Sequence, residues 1–302
     1  MKISRDKVMP AFNSLVGLPY KFGTEEIGFS LSKLKHPPRK GIEKGLAPYY
    51  LDFLDALRNF LLFAPSKIDY LQSADKKHMN LEDVYTRTLD GELLHGYFLK
   101  EPQDTDKAVI YFHGNDLNIS KWYSAATTLQ KHIPANFLIV DYRGYGKSTG
   151  IPSFQGLILD GLATYNHLIQ RGFKTNNISI YGRSMGGAVA LELASRVNVR
   201  SVVVQSSITT FRDLIKAHFP YIPSFLIKND LFNLQKLIKK VHAPILISHG
   251  DKDKVSPLKF SYKLYELANE PKKLIILNNA THRRLTSFFT EEYFNTLREL
   301  FL

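Results

Sequence analysis

Short apolar runs alternate with longer stretches of helical periodicity from residue 107 to the end of the chain. A short, continuous apolar run is typical of a buried strand, whereas apolar residues three or four positions apart predict an amphipathic helix. Strands that alternate with helices of about a dozen residues indicate βαβ units and a mostly parallel sheet. We predict strands over 107–112, 136–141, 177–181, 200–205, 243–249 and 273–277, and helices over 119–132, 153–171, 187–196, 257–269 and from Leu285 onward.

Two segments depart from this alternation. Residues 83–89 and 92–99 flank Asp90-Gly91, a dipeptide that favours a tight hairpin turn, so we expect antiparallel strands at the start of the sheet. Residues 207–240 are apolar and basic, and they are too long for a plain loop. We expect this second segment to form short helices that cap the carboxyl ends of the strands.

The first 65 residues are predicted to form a separate N-terminal extension. Residues 48–64 have the periodicity of an amphipathic helix, which Pro65 ends. This helix either packs on the domain or lies on a membrane surface. We therefore divide the chain into an extension over 1–65 and an α/β domain over 66–302 with a helical cap at about 207–240. The apolar face of the helix consists of Tyr50, Phe53, Leu54, Leu57, Phe60, Leu61 and Ala64.

Composition and charge narrow the classes of function. The chain has 302 residues, of which 44% are hydrophobic and 23% charged, as in an ordinary globular protein. It contains no cysteine, which excludes disulfides, thiolate zinc sites and cysteine nucleophiles and fits a reducing compartment. The net charge of +12 favours anionic partners, although a lysine-rich composition that serves solubility explains it equally well.

The sequence also bears on location and cofactors. We find no uninterrupted apolar run long enough to span a membrane, and the N-terminus has no sustained apolar core of a secretory signal. We expect a cytoplasmic protein, with peripheral attachment to an anionic membrane surface as the alternative. No spacing of histidine and carboxylate residues resembles a metal site, and no basic-aromatic pattern resembles a nucleic-acid module. We expect no metal, organic cofactor or nucleic-acid partner.

The pentapeptide Gly182-Arg183-Ser184-Met185-Gly186 lies between a predicted strand and a predicted helix. In this context the pattern G-x-S-x-G predicts a nucleophile elbow, a sharp turn that exposes the serine hydroxyl. Gly182 and Gly186 suit such a turn because they have no Cβ. Ser184 would then lie at the N-terminus of a helix, where backbone N–H groups favour developing negative charge. We predict Ser184 as a nucleophile.

A serine nucleophile needs a base and a third group that orients the base. On this scaffold the three follow in the order Ser, Asp or Glu, His. His282 comes after the last predicted strand and should lie at the same sheet edge as Ser184, so we predict it as the base. For the acid we prefer Asp253 to Asp251, because Asp251 directly follows the glycine at the strand end and is placed to cap the turn.

The oxyanion that forms during acyl transfer needs two backbone N–H donors. Met185, directly after the nucleophile, is predicted to supply one. The other should come from the loop after the strand 107–112, where we predict Asn115, with Asp116 as the alternative. We interpret His113 as a structural residue that braces this loop rather than as a second base.

Longer motifs occur from about Asn59 onward, and they include NFLLFAPSKIDY, TLDGELLHGYFL, YFHGN, DYRGYGKSTGIPS, YGRSMGGAVALELA and LISHGDKD. With these motifs the chain resembles the serine α/β-hydrolases, and more closely their BEM46-like branch. The resemblance implies an α/β-hydrolase fold with a mostly parallel central sheet flanked by helices. It also implies hydrolysis of acyl esters or thioesters with Ser184 as nucleophile, Asp253 as acid and His282 as base. Some relatives remove palmitoyl groups from proteins, and many are attached to membranes.

We therefore expect a serine hydrolase that cleaves carboxylic esters or thioesters through an acyl-enzyme. The expected substrate is a small-molecule or lipid acyl ester, or an acylated protein. Two other functions stay open. One is an exopeptidase on the same fold, which would need a cluster of carboxylates to hold a substrate amine. The other is a non-catalytic binding protein or a peripheral membrane adaptor that keeps the fold.

Overall fold

The computed structural model describes residues 63–71, 81–221 and 233–302. The predicted amphipathic helix over 48–64 lies outside these residues except for its end, and so does nearly all of the predicted extension over 1–65. Ala64, predicted as the last residue of that helix, instead belongs to a two-residue strand, where its N–H donates to the carbonyl of Asn115 at 2.9 Å. The helix prediction is therefore wrong at its C-terminal end. Among the described residues, no helix is long and apolar enough to cross a membrane.

The described part of the chain contains ten strands: β1 (Ala64–Pro65), β2 (Leu81–Arg87), β3 (Leu93–Leu99), β4 (Ala108–Phe112), β5 (Asp116–Leu117), β6 (Asn136–Val140), β7 (Ile178–Arg183), β8 (Ser201–Gln205), β9 (Ile245–Gly250) and β10 (Lys272–Leu277). Eight of them form a central sheet with the strand order β10-β9-β8-β7-β4-β6-β3-β2. The pairs β2–β3 and β3–β6 are antiparallel and the other pairs of this sheet are parallel, so the predicted mostly parallel sheet is confirmed. A separate two-stranded parallel sheet joins β1 and β5.

Helices cover both faces of the sheet, because the central parallel strands are apolar on both sides. Every residue of β4, β6 and β8 is buried. Ile110 and Val204 belong to the hydrophobic cluster on one face, and Val109 and Val203 belong to the cluster on the other. The helices are α1 (Ile119–Gln130), α2 (Phe154–Gln170), α3 (Met185–Ala194), α4 (Phe211–His218), α5 (Leu234–Leu237), α6 (Lys259–Leu267) and α7 (Glu291–Phe301).

The C-terminal helix begins later than the sequence predicts. Residues Thr286–Phe288 form a short 3₁₀ turn, and α7 starts only at Glu291. Thr290 explains this start, because its side chain accepts a hydrogen bond from the N–H of Tyr293 and so caps the helix. Leu285 is fully buried in the preceding loop, which is why its apolar character suggests a helix that is not there.

The hairpin and the segment over 207–240 largely follow the predictions. The N–H of Thr88 donates to the carbonyl of Glu92 at 2.9 Å across the turn between β2 and β3. Gly91 in this turn has a φ of +93°, which glycine adopts without strain. The described parts of 207–240 contain two short α-helices, α4 and α5, and a 3₁₀ helix at Ile238–Lys240. Residues 222–232 of this segment lie outside the described residues, so a cap over the carboxyl ends of the strands stays a prediction.

Candidate active site

Ser184 alone forms the turn between β7, which ends at Arg183, and α3, which begins at Met185. Its φ of 55° and ψ of −118° lie in a region that a residue with a Cβ rarely adopts. Three hydrogen bonds hold this conformation. The N–H of Ser184 donates to the carbonyl of Gln205 at 2.8 Å, and its own carbonyl accepts from Ser207 Oγ at 2.8 Å and from Gly187 N–H at 3.0 Å. Ser184 is half-buried, so part of the residue is exposed to solvent at the bend.

The glycines on either side of Ser184 are required by close backbone contacts. A Cβ on Gly182 would lie 2.3 Å from the carbonyl oxygen of Gly186. A Cβ on Gly186 would lie 2.1 Å from the carbonyl oxygen of Phe112, at the end of β4. Both distances are far shorter than a van der Waals contact. Any side chain at either position would therefore push α3 away from the sheet and displace the serine.

The structure brings Ser184, His282 and Asp253 into one chain of hydrogen bonds. His282 Nε2 lies 3.1 Å from Ser184 Oγ, and His282 Nδ1 lies 2.7 Å from Asp253 Oδ2. A carboxylate can only accept, so Nδ1 carries the proton and Nε2 of the neutral ring accepts from the serine hydroxyl. This is the tautomer that a general base for the serine requires. Asp253 follows β9 and His282 follows β10, two strands that are neighbours in the sheet.

Asp253 is held as a charged carboxylate. Its Oδ1 accepts from the N–H groups of Val255 and Ser256, both at 2.9 Å, and its side chain is fully buried. Burial is the largest influence and would raise its pKa, but hydrogen bonds from His249 and His282 and the N–H of Ser256 hold the pKa of Asp253 well below its usual value. The charge of this carboxylate therefore stabilises a proton on the His282 ring.

Asp251, the alternative acid, makes no ion pair or hydrogen bond with His282 in the described structure. Its Oδ1 is buried and has no hydrogen-bond partner among the described residues. The turn after β9 is capped instead by Asp253, which accepts the two N–H groups of Val255 and Ser256. The capping role that the sequence suggests for Asp251 is therefore wrong, and the geometry favours Asp253 as the partner of the histidine.

His249 is a site residue that the sequence analysis did not identify. Its Nε2 donates to the carbonyl of Ser256 at 2.7 Å and lies 3.4 Å from Asp253 Oδ2. Its Nδ1 pairs with Ser261 Oγ at 2.6 Å, and the ring is fully buried. His249 thus fixes the loop that carries Asp253 and approaches the same carboxylate oxygen as His282. Its place four residues before Asp253, in His249-Gly250-Asp251-Lys252-Asp253, is the signal that was present in the sequence.

The loop after β4 lies beside the serine, since a Cβ on Gly114 would be 3.8 Å from Ser184 Cβ. His113 Nδ1 donates to the carbonyl of Gly114 at 2.7 Å. Because the C=O and N–H of one trans peptide point in opposite directions, this bond also sets the direction of the Asn115 N–H. The N–H of Met185 lies in the first turn of α3, where helix N–H groups have no partner within the helix. The oxyanion role of these two N–H groups stays a prediction.

His113 is packed as a structural residue. Its ring is fully buried, and its centre lies 4.4 Å from that of Tyr142 and 5.5 Å from that of Tyr145. Burial lowers the pKa of His113, which keeps the ring neutral. The hydroxyls of the two tyrosines donate to the carbonyls of His113 and Asn115, both at 2.8 Å. This arrangement agrees with the bracing role that the sequence predicts for His113.

Comparisons with known proteins identify the family. A model of the alpha/beta hydrolase fold matches residues 107–226. An uncharacterised protein of Acanthamoeba polyphaga mimivirus is 30% identical over 278 residues, which cover 81% of this chain and 92% of that protein. Protein Bem46 of Schizosaccharomyces pombe is 30% identical over 204 residues, which cover 65% of this chain and 68% of that protein. The chain is a Bem46-like α/β hydrolase.

Solved structures share the fold of this Bem46-like hydrolase. An esterase from Pyrococcus furiosus superposes with a TM-score of 0.65 at 22% identity, over 79% of this chain and 96% of that one. An alpha-beta hydrolase from Vibrio vulnificus superposes with a TM-score of 0.64 at 21% identity, over 88% of this chain and 97% of that one. At this level of identity the likeness establishes the fold. Among the described residues of this hydrolase, no three His, Asp or Glu side chains are grouped as metal ligands.

Proposed function

We propose that this Bem46-like hydrolase is a serine esterase that cleaves carboxylic esters or thioesters through an acyl-enzyme. The observation that supports the proposal most strongly is the hydrogen-bonded chain from Ser184 Oγ through His282 to Asp253. It occurs at an accessible bend, with the serine held in a strained conformation by its own backbone hydrogen bonds. A site that only binds a ligand would need neither the bend nor the orientation of the imidazole.

Acylation begins when Ser184 Oγ attacks the carbonyl carbon of the ester and His282 Nε2 takes the hydroxyl proton. Negative charge then develops on the carbonyl oxygen, and the N–H groups of Met185 and Asn115 are proposed to receive it. The imidazolium gives its proton to the leaving alcohol or thiol as the tetrahedral intermediate collapses. The product left on the enzyme is an ester between the acyl group and Ser184.

Deacylation repeats these steps with water as the nucleophile. His282 Nε2 takes a proton from water, the resulting tetrahedral intermediate collapses, and the proton returns to Ser184 Oγ as the carboxylic acid leaves. In both halves the positive charge on the ring lies beside the buried carboxylate of Asp253, 2.7 Å from Nδ1. Asp253 therefore stabilises the imidazolium twice in each turnover without taking a proton itself.

The surroundings of the site favour an ester over a peptide with a free amine. Lys252 and Lys254 flank Asp253, and Arg283 and Arg284 follow His282; all four are exposed. An exopeptidase needs carboxylates to hold the substrate amine, whereas this rim is cationic. Positive charge attracts substrates that carry negative charge near the bond to be cleaved. We propose an acyl ester or thioester of this kind, with a lipid-like acyl group, as the substrate class.

A substrate series tests the proposed function. We expect turnover of p-nitrophenyl esters and of a palmitoyl thioester, and no turnover of an aminoacyl p-nitroanilide. Raising the salt concentration should raise KM for an acyl ester with an anionic group and leave KM for a neutral ester nearly unchanged, because salt screens exposed charges. Faster cleavage of the anilide than of the esters would contradict the esterase proposal and favour an exopeptidase. A preference for acetyl over longer acyl groups would overturn the lipid-like part of the proposal.

A further inference from the structure

Arg183, the residue directly before Ser184, is a buried cation that the mechanism above does not use. It is only 4% exposed. Among the described residues, the groups that contact its guanidinium are uncharged: Nη2 donates to the carbonyl of His282 at 2.7 Å, and Cζ lies 4.9 Å from the centre of the Trp122 ring. The side chain of Arg183 also interacts with the buried Tyr111 hydroxyl. Its Nε is buried and has no hydrogen-bond partner among the described residues. Burying a cation in this way carries a large desolvation cost, which points to a specific role for these contacts.

The first contact acts on the base. The carbonyl that accepts from Arg183 belongs to His282 itself, so the bond fixes the main chain at the residue whose Nε2 must stay 3.1 Å from Ser184 Oγ. The loop around His282 has backbone hydrogen bonds at its flanks, from Lys252 to the carbonyl of Ala280 and from Arg284 to that of Thr281. The bond from Arg183 ties the loop directly to the elbow.

The second contact acts on the predicted oxyanion loop. Trp122 Nε1 donates to the carbonyl of Asp116 at 2.9 Å, and the indole ring stacks on the His113 ring with the centres 6.0 Å apart. A Cβ on Gly114 would lie 2.9 Å from Cζ2 of the same indole, so the ring presses directly on the backbone of the loop. Arg183 lies over this ring. The guanidinium and the indole therefore connect the elbow to the loop that carries Asn115.

We infer that Arg183 is a positioning residue. Its guanidinium, held between the His282 carbonyl and the Trp122 ring, keeps the base and the predicted oxyanion loop in place around Ser184. The inference rests on the proposed function, because it concerns the same site. A planar guanidinium can donate in its plane and stack with its face at the same time, which the point charge of a lysine cannot do. Small displacements of catalytic groups are costly, since about 1 Å can lower a rate about 100-fold.

The test compares Arg183→Met, Arg183→Lys and the matched control Arg196→Met, whose arginine lies on the surface after α3 and pairs with Glu192. For each protein, kcat and KM for a short-chain ester are expressed per active site, counted by titration with a fluorophosphonate. Emission of Trp122, the only tryptophan in the chain, is recorded in the same samples. Thermal unfolding is measured alongside, and Arg183→Lys keeps the comparison possible where Arg183→Met folds poorly.

We expect Arg183→Met to lower kcat per site about 10- to 100-fold, with KM changed less than about threefold. The kcat per site of Arg183→Lys should lie between those of Arg183→Met and the wild type. Both Arg183 variants should shift the emission of Trp122. Arg196→Met should match the wild type in kcat per site and in emission. Wild-type kcat per site in Arg183→Met, with only the melting temperature or the titratable fraction lowered, would overturn the inference. So would unchanged emission. Absence of ester turnover and of labelling in the wild type would instead overturn the proposed function.

Discussion

Replacing Ser184 with alanine is expected to lower kcat for ester hydrolysis on the order of 10⁴-fold or more, because it removes the hydroxyl that is proposed to form the acyl-enzyme. KM should change little, since the lost interaction is made only as the reaction proceeds. Initial rates with a p-nitrophenyl ester, measured at enzyme concentrations high enough to detect a 10⁴-fold loss, check this. Residual hydrolysis within about tenfold of the wild type would show that Ser184 is not the nucleophile.

Ser184→Gly provides the matched comparison, since it removes the same hydroxyl and also the Cβ. Alanine must keep the φ of 55°, whereas glycine adopts positive φ without strain. We therefore expect Ser184→Gly to be as inactive as Ser184→Ala and to have a free energy of unfolding higher by about 1 kcal/mol. Urea unfolding of the two variants measures this difference in free energy. Both variants lack the hydrogen bond from Ser184 to His282, so its loss does not contribute to the difference. Equal stability would mean that the strain at the bend is no larger than the extra chain entropy that glycine has in the unfolded state.

Asp253→Asn is the second large effect, expected to lower kcat about 10³- to 10⁴-fold. The substituted amide can present its N–H₂ group to His282, which favours the ring tautomer with the proton on Nε2 and leaves no base for the serine. Asp251→Asn is the control, because Asp251 has no ion pair or hydrogen bond with His282 among the described residues; its kcat should stay within about threefold of the wild type. Equal losses in the two variants would remove Asp253 from its assigned role.

The same variant has a defined pH signature in stability. The folded-state pKa of Asp253 is lowered, so its charge stabilises the fold at every pH above its unfolded value of 3.8 and loses this effect as the pH falls towards the folded value. We expect the difference in unfolding free energy between the wild type and Asp253→Asn to shrink as the pH falls below about 4, where the unfolded chain takes up a proton that the folded carboxylate does not. A difference that grows as the pH falls below about 4 would contradict the assignment of a charged, buried carboxylate.

The central strands and the elbow were predictable because their signals are local. Strands buried on both faces are continuous apolar runs, and β4, β6 and β8 therefore lie within one or two residues of their predicted bounds. The positions of Ser184 and His282 followed from their place after β7 and β10. These predictions required only the order of the elements and the rule that parallel strands share one carboxyl edge.

Other features depend on contacts that no local pattern encodes. The pair β1–β5 has two residues in each strand and joins segments far apart in the chain. The bond from Arg183 to the carbonyl of His282 spans 99 residues, and Arg183 occupies a variable position of its motif. The contact of His249 with Asp253 depends on the conformation of the turn after β9, which the sequence pattern does not specify. The C-terminal helix was predicted to begin at Leu285 because a buried apolar residue in a loop cannot be distinguished by sequence from one on a helix.

The most direct test of the account is to locate the adduct of a fluorophosphonate probe by mass spectrometry. We expect the wild-type protein to gain the mass of one probe, with the modified residue identified as Ser184 in the peptide map. Ser184→Ala should gain none, and Asp253→Asn should react much more slowly than Asp251→Asn. A wild-type protein that stays unmodified while folded, or an adduct on any other residue, would contradict the claim that this bend presents an activated serine.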